Sequence, residues 1–135
     1  MADITVTAAN VVLVSGSIQH VTAGAAITAG QPVYKDLTDG NDHKPCDADA
    51  SATAVIAGIA LHASEDKQPL AIQTGGTINI GGTVVIGEVY CVSSGAGGVA
   101  PDVDVLSNEY RTIIGVGVTS ANIELRFHTS GVQVP

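Results

Sequence analysis

The sequence predicts an all-β protein, built as a small β-barrel or sandwich of about eight to ten short strands with a long acidic loop and at most one short helix. Val, Ile and Thr supply 42 of the 135 residues, and such β-branched side chains pack well on pleated sheets. Sixteen glycines separate short apolar runs, as turns separate strands. The length fits one domain, 1–135, with residues 1–14 as a candidate N-terminal arm.

The first strands are predicted from alternation and from β-branched runs. In residues 3–9 apolar side chains alternate with threonines, which is the period of a half-buried strand. An apolar run at 11–14, with three valines in four residues, ends at a Ser-Gly-Ser turn, and residues 19–23 predict a short third strand. Pro32 precedes a strand start at 33–34, a position where proline is tolerated.

The middle of the chain contains a polar stretch that is followed by the most apolar predicted strand. Residues 35–52 contain five aspartates and few apolar side chains, which predicts a long loop. A helix of one or two turns at 48–54, capped by Asp47 or Asp49, is the one helix that the sequence suggests. Residues 55–61 form a continuous apolar run and predict the most buried strand.

Glycine pairs and alternation organise the second half of the chain. Gly81–Gly82 is predicted to form the two-residue turn of a hairpin between strands at 77–80 and 83–86. In residues 121–129, apolar side chains alternate with Glu, Arg and His, so one face is buried and opposite charges can pair on the other. The further predicted strands lie at 70–73, 89–92 and 113–119.

The charge balance excludes two classes of partner. Five Lys and Arg residues face 13 Asp and Glu residues, for a net charge of −8, and the five cations are scattered singly. Binding to nucleic acid or to an anionic membrane needs clustered cations, so neither is expected as a direct partner. The N-terminus lacks the basic region of a secretory signal, and the longest apolar stretch, 54–61, is far shorter than the roughly 20 residues of a membrane span. We therefore expect a soluble protein made in the cytosol.

The cysteines and the acidic loop each leave two interpretations open. Cys91 is expected as a buried thiol and Cys46 as a loop thiol, with a Cys46–Cys91 disulfide as the alternative. The aspartates between Asp36 and Asp49 predict a solvated acidic loop, with a weak cation site as the alternative, although they miss the order of a calcium loop. No cofactor and no structural metal are predicted.

Motifs of catalysis are missing from the sequence. It contains no G-x-S-x-G elbow, no phosphate-binding P-loop and no H-E-x-x-H zinc motif. The glycines at 95–98 lack the last glycine of a dinucleotide fingerprint and open no helix. Glu88 and Glu124 are expected as surface residues rather than as an acid–base pair. The protein is therefore predicted not to be an enzyme.

Seven short segments carry a family resemblance through their order along the chain. They are AGQPVY (29–34), AVIAGIAL (54–61), QTGGT (73–77), GEVY (87–90), SSG (93–95), IGVG (114–117) and IELRF (123–127). In this order, from about residue 4 to 127, the chain resembles the capsid decoration (cement) proteins of tailed bacteriophages. The resemblance implies a non-enzymatic structural virion protein, usually trimeric, that is made in the host cytoplasm. It implies binding to the major capsid protein on the outer surface of an assembled capsid.

The capsid or subunit interface is predicted in the N-terminal segment 2–14, through Ile4, Val6, Val12 and Val14. An end strand can add to the edge of a partner's sheet, although the same segment could be an ordinary edge strand of its own fold. The surplus of apolar residues over charged ones favours a homo-oligomer. Two other functions remain open, namely a fibre or tail component and a small ligand-binding barrel.

Overall fold

The fold is a β-sandwich, described here from a computed structural model of residues 3–105 and 107–133. Strands make up 45% and helices 5% of these residues, and the two antiparallel sheets pack face to face. The strands are β1 Val12–Ser15, β2 Ile18–Thr22, β3 Pro32–Lys35, β4 His43–Pro45, β5 Gly58–Ala60, β6 Pro69–Gln73, β7 Gly76–Asn79, β8 Val89–Val92, β9 Val99–Pro101, β10 Tyr110–Gly117 and β11 Asn122–Gln133. Two short 3₁₀ helices lie at Ala8–Asn10 and Asp102–Asp104. The predicted all-β class is confirmed, as a sandwich.

The two sheets consist of different strands and do not close into a barrel. The six-stranded sheet has the order β1-β7-β11-β10-β8-β9, and the five-stranded sheet has the order β2-β6-β5-β3-β4. The outer strands of the five-stranded sheet approach each other at a single bridge between Ala23 and His43. One bridge leaves the edges of this sheet largely open, so the architecture remains a sandwich.

The five-stranded sheet is apolar on both faces. Ile59 of β5 packs into the main core between the sheets, whereas its neighbour Ala60 packs into a second cluster on the other face. Ile27, in the segment between β2 and β3, covers that second cluster and forms a bridge to Ser64. This double burial explains why the predicted apolar run lacks alternation at 58–60, where β5 lies. The predicted strand at 55–61 is longer than the observed one, because residues 55–57 lie outside β5 and Val55 is exposed.

The alternation in the last strand is confirmed. Ile123 and Leu125 are buried in the main core, while Glu124 and Arg126 lie on the other face of β11. Arg126 Nη2 donates to Glu124 Oε1 at 2.8 Å, which is the expected pairing of opposite charges.

Two predicted elements of the first half are replaced by irregular structure. Residues 48–54 form turns rather than a helix, and the Thr53 hydroxyl donates to the Asp47 carbonyl at 2.8 Å, closing the loop on itself. Residues 3–7 keep the predicted alternation of burial but pair with no strand. The Ile4 N–H donates to the Val99 carbonyl at 2.8 Å, so the segment is extended and tied to the sandwich by isolated bonds.

The glycine pair at 81–82 does not form the predicted hairpin turn. The Thr7 N–H donates to the Gly81 carbonyl at 2.7 Å, and a Cβ on Gly81 would lie 2.5 Å from the Thr7 carbonyl oxygen. Gly81 also has φ +76, which glycine adopts without strain. The pair therefore lets the N-terminal segment cross close over the chain, and residues 83–86 form a loop instead of a strand.

Candidate interaction surface

Two pairs of strands pass from one sheet into the other at a shared corner. β1 pairs with β7 in the six-stranded sheet, and β2 pairs with β6 in the five-stranded sheet. The backbones touch at this corner, because a Cβ on Gly16 would lie 2.0 Å from the Gly75 carbonyl oxygen. Residues 12–22 therefore run along β6 and β7 as one bent outer strand, which we call the β1–β2 edge.

A buried amide holds the corner together. Gln73 is fully buried, and its Nε2 donates to the carbonyl oxygens of Ser15 at 3.0 Å, Gly75 at 2.9 Å and Thr77 at 3.0 Å. Its Oε1 has no partner among the described residues. The side chain thus ties the end of β1 to the start of β7 and fixes the direction of the β1–β2 edge.

The outer side of the β1–β2 edge has backbone groups available for pairing. The Ser17 carbonyl accepts from the Thr74 N–H at 3.0 Å, and the Ala23 N–H donates to the Gln68 carbonyl at 2.9 Å. In the unbroken register of β2 with β6, the odd-numbered residues therefore bond to β6. Since an antiparallel ladder alternates, the N–H and C=O groups of Ile18 and His20 point away from β6, toward the open side.

The edge lacks Asp, Glu, Lys and Arg and exposes three large apolar side chains. The side chains of Val12, Val14 and Ile18 are 56%, 53% and 48% exposed. Residues 12–22 contain no Asp, Glu, Lys, Arg or Pro. Natural proteins usually protect an edge strand with charges, prolines or a covering segment, because a bare edge pairs with other chains. This edge has the chemistry of a docking surface for an extended segment.

The four interface residues predicted from the sequence fall into two environments. Ile4 and Val6 are half-buried and pack against the main core, whereas Val12 and Val14 are exposed on the β1–β2 edge. The first half of the predicted arm therefore belongs to the packing of the sandwich, and the second half forms the surface. Ala2, which the prediction included, lies outside the described residues.

Two lysines form salt bridges with the three aspartates in the first part of the acidic loop. Lys44 Nζ lies 2.9 Å from Asp36 Oδ2 and 3.1 Å from Asp39 Oδ2, and Lys67 Nζ lies 2.5 Å from Asp42 Oδ2. The hydrogen bond from Lys44 lowers the pKa of Asp36 to about 2, and the same bond raises the pKa of Lys44. These contacts hold the loop against Lys44 of β4 and against Lys67 of the turn before β6, instead of leaving it fully solvated.

The second part of the acidic region follows β4. The Asp49 N–H donates to Asp47 Oδ1 at 2.9 Å, and the nearby charge of Asp47 raises the pKa of Asp49. Across residues 3–105 and 107–133, no three His, Cys, Asp or Glu side chains are grouped so that they could hold a metal ion.

Both cysteines are free and buried. Cys91 lies in β8 as predicted, while Cys46, predicted in a loop, is fully enclosed directly after β4. Burial, reinforced by the charge of Asp102, raises the pKa of Cys91 to about 12, and burial also raises the pKa of Cys46. Thiolate is therefore scarce at neutral pH, and the sulfur atoms are packing groups rather than nucleophiles.

Sequence reasoning missed an apolar groove beside the acidic loop. It has a volume of about 470 Å³ and is formed by two chain segments, 34–38 and 52–57. Leu37 and Val55 lie on its walls and remain exposed. Leu37 stands alone among polar residues in the sequence, so only the approach of the two segments reveals the groove.

The described residues contain no helix long and apolar enough to cross a membrane. Neither a scan against protein-family models nor a search of curated proteins finds a match to this chain.

Proposed function

We propose that this protein is a non-enzymatic structural protein of a phage virion that binds the outer surface of an assembled capsid and stabilises it. The observation that carries the proposal is the β1–β2 edge, a bent strand with free backbone groups and exposed valine and isoleucine side chains. The order of the seven segments along the chain supports the same function. The proposed partner is the major capsid protein, and the proposed active form is a homo-oligomer of three copies.

The chemistry of the edge suits binding to a protein lattice. An extended segment of the partner can pair with the outward groups of Ile18 and His20, while Val12 and Val14 are buried by the contact. A single strand contact is weak, but several copies joined in one oligomer bind together and multiply their affinity. The net charge of −8 keeps an abundant protein soluble before it meets the capsid.

The stabilising effect follows from linkage. A protein that binds only the assembled shell raises the stability of that shell by RT ln(1 + [L]/Kd), or roughly 2.7 kcal/mol per site at a hundredfold excess over Kd. Bare capsids should therefore assemble without this protein but fail at a lower temperature than decorated ones.

A co-sedimentation experiment tests the proposed surface. The triple variant V12K/V14K/I18K places three charges on the β1–β2 edge, where each replaced side chain is exposed, so the fold is retained. The matched control is V103K, because Val103 is an even more exposed valine outside the edge. Wild-type protein and V103K should pellet with bare capsids, and the triple variant should stay in the supernatant.

Two results would contradict the proposal at different levels. Full pelleting of the triple variant would exclude the β1–β2 edge as the capsid-binding surface. Capsids that melt at the same temperature with and without bound wild-type protein would exclude the stabilising role itself.

A further inference from the structure

A positive charge without a salt-bridge partner among the described residues lies on the rim of the apolar groove. Lys35 is exposed and lines the groove, whose other walls include Tyr34, Leu37 and Val55. In the described part of the chain, the other four Lys and Arg side chains each form a salt bridge with a carboxylate, and Lys35 forms none. In a protein of net charge −8, an unpaired cation beside an apolar depression is a specific recognition feature.

The groove is also open to a side chain from outside. Leu37 is 75% exposed, although its neighbours in the groove are mostly apolar. The adjacent carboxylate of Asp36 is already bonded to Lys44 at 2.9 Å, so it does not neutralise Lys35. An occupant that fits therefore has an exposed aliphatic side chain and a carboxylate close to it.

The same chain presents such a group on the other sheet. The turn 85–88 joins β7 to β8, and its Ile86 side chain is 71% exposed. Glu88 follows two residues later and forms no salt bridge among the described residues. The Gly87 N–H donates to the Gly117 carbonyl at 2.8 Å, and the Gly117 N–H donates to the Glu88 carbonyl at 2.9 Å. The turn is thus a fixed apolar projection with a free carboxylate at its base.

We propose that the groove binds the turn 85–88 of a second copy of this chain, with Ile86 between Leu37 and Val55 and Glu88 paired with Lys35. Groove and turn are unlike surfaces on different sheets, so each copy uses one surface to bind a neighbour and the other to be bound. A contact of this heterologous kind closes into a ring when the rotation between copies allows it. The contact does not rest on capsid binding, and it is measured on the isolated protein.

Charge exchange tests the pairing directly. Lys35→Glu and Glu88→Lys should each weaken self-association at least tenfold in sedimentation equilibrium, because each brings like charges together. The double variant K35E/E88K restores opposite charges and should recover most of the wild-type association. Both side chains lie outside the core, and thermal unfolding of each variant confirms that it is folded.

A mixing experiment tests the heterologous geometry. I86D places a charge on the turn, so that the turn no longer binds, and leaves the groove intact. L37D places a charge in the groove, so that the groove no longer binds, and leaves the turn intact. Each variant alone should be a 13.5 kDa monomer, and their mixture should form a dimer of one copy of each and nothing larger. V103D is the matched control, since Val103 is an exposed valine between two aspartates in the short 3₁₀ helix Asp102–Asp104, and it should associate like the wild type.

The outcomes separate this contact from other occupants of the groove. Wild-type protein that is monomeric at all concentrations would overturn the proposal, as would double-variant association no stronger than that of the single variants. If V103D weakens association and I86D does not, the occupant is a different loop and the proposal is wrong. Loss of capsid binding in the β1–β2 edge variant, with self-association intact, leaves this contact standing.

Discussion

Replacing Gln73 with methionine would show how far the corner between the two sheets depends on one buried amide. The Gln73 side chain is fully buried, and its Nε2 is the shared donor for the carbonyl oxygens of Ser15, Gly75 and Thr77. Methionine has a similar length but no donor, so the change removes the bonds with little change in volume.

The expected loss follows from the number of bonds. An amide nitrogen carries two hydrogens, so the three contacts amount to two hydrogen bonds, worth about 2 kcal/mol together. Leaving buried acceptors without a donor costs about 1 kcal/mol more, and removing the unpartnered Oε1 of Gln73 returns about 1 kcal/mol. Q73M should therefore lower the free energy of unfolding by about 2 kcal/mol.

Gln73→Glu keeps the shape and reverses the electrostatics. An ionised carboxylate would face the same three carbonyl oxygens in a buried site, so we expect a loss of about 3–5 kcal/mol at pH 7. Burial disfavours the ionised form, so the pKa of the introduced carboxyl lies above its unfolded value in the folded protein. The lost stability should thus return as the pH falls, because the protonated carboxyl again has a hydrogen to donate.

Urea unfolding at pH 7 and pH 5 measures both effects. Gln19→Met is the matched control, since Gln19 is an exposed glutamine on β2 and should change the unfolding free energy by less than about 0.5 kcal/mol. A Q73M variant as stable as this control, or a Q73E variant no less stable than Q73M at pH 7, would refute the role given to the amide.

Three further predictions concern backbone, pH and the N-terminal segment. Gly76→Ala should lower the free energy of unfolding by at least about 3 kcal/mol in thermal unfolding. Gly76 has φ +86, and the added Cβ would lie 2.1 Å from a backbone oxygen of β1. A loss of less than about 1 kcal/mol would contradict the close approach. Burial lowers the pKa of His43 below 6.5, so its contribution to stability is present above pH 6.5 and is lost as the pH falls through the lowered pKa. His43→Phe should therefore flatten this part of the curve of stability against pH. Ile4→Ala should lower stability by about 1 kcal/mol and Val12→Ala by less than about 0.5 kcal/mol in urea unfolding, and equal losses would contradict their different burial.

Local patterns predicted this fold where the environment of each strand is simple. β11 has one buried and one exposed face, so its alternation gave the correct burial of Ile123 and Leu125 and the correct pairing of Glu124 with Arg126. Gly81–Gly82 failed as a turn marker, because the same lack of side chains serves a close crossing of backbones. A glycine pair can form a hairpin turn or permit a close crossing of two backbones. Here the choice depends on a segment about 75 residues away in sequence.

The candidate surfaces were only partly visible in the sequence. The run at 11–14 predicted a strand, but β-branched side chains favour strands whether they are buried, as Val11 is, or exposed, as Val12 and Val14 are. No sequence pattern predicts the groove at Lys35 and Leu37, because its walls come from segments on either side of β4. Surfaces assembled from distant segments need the tertiary structure to be recognised.

The pairing of the β1–β2 edge has a consequence for synthesis of the protein. Residues 12–22 are made early, yet their partners in β6 and β7 follow about fifty residues later; the Ser17 and Thr74 hydroxyls that meet at the corner are 57 residues apart. At roughly 5–20 residues per second, this delay lasts a few seconds to about ten seconds. During that time an uncharged, β-branched segment is unpaired, which is the composition that aggregates most readily. The residues that leave this edge open in the folded protein are thus expected to be the part of the nascent chain most exposed to aggregation until β6 and β7 have been made.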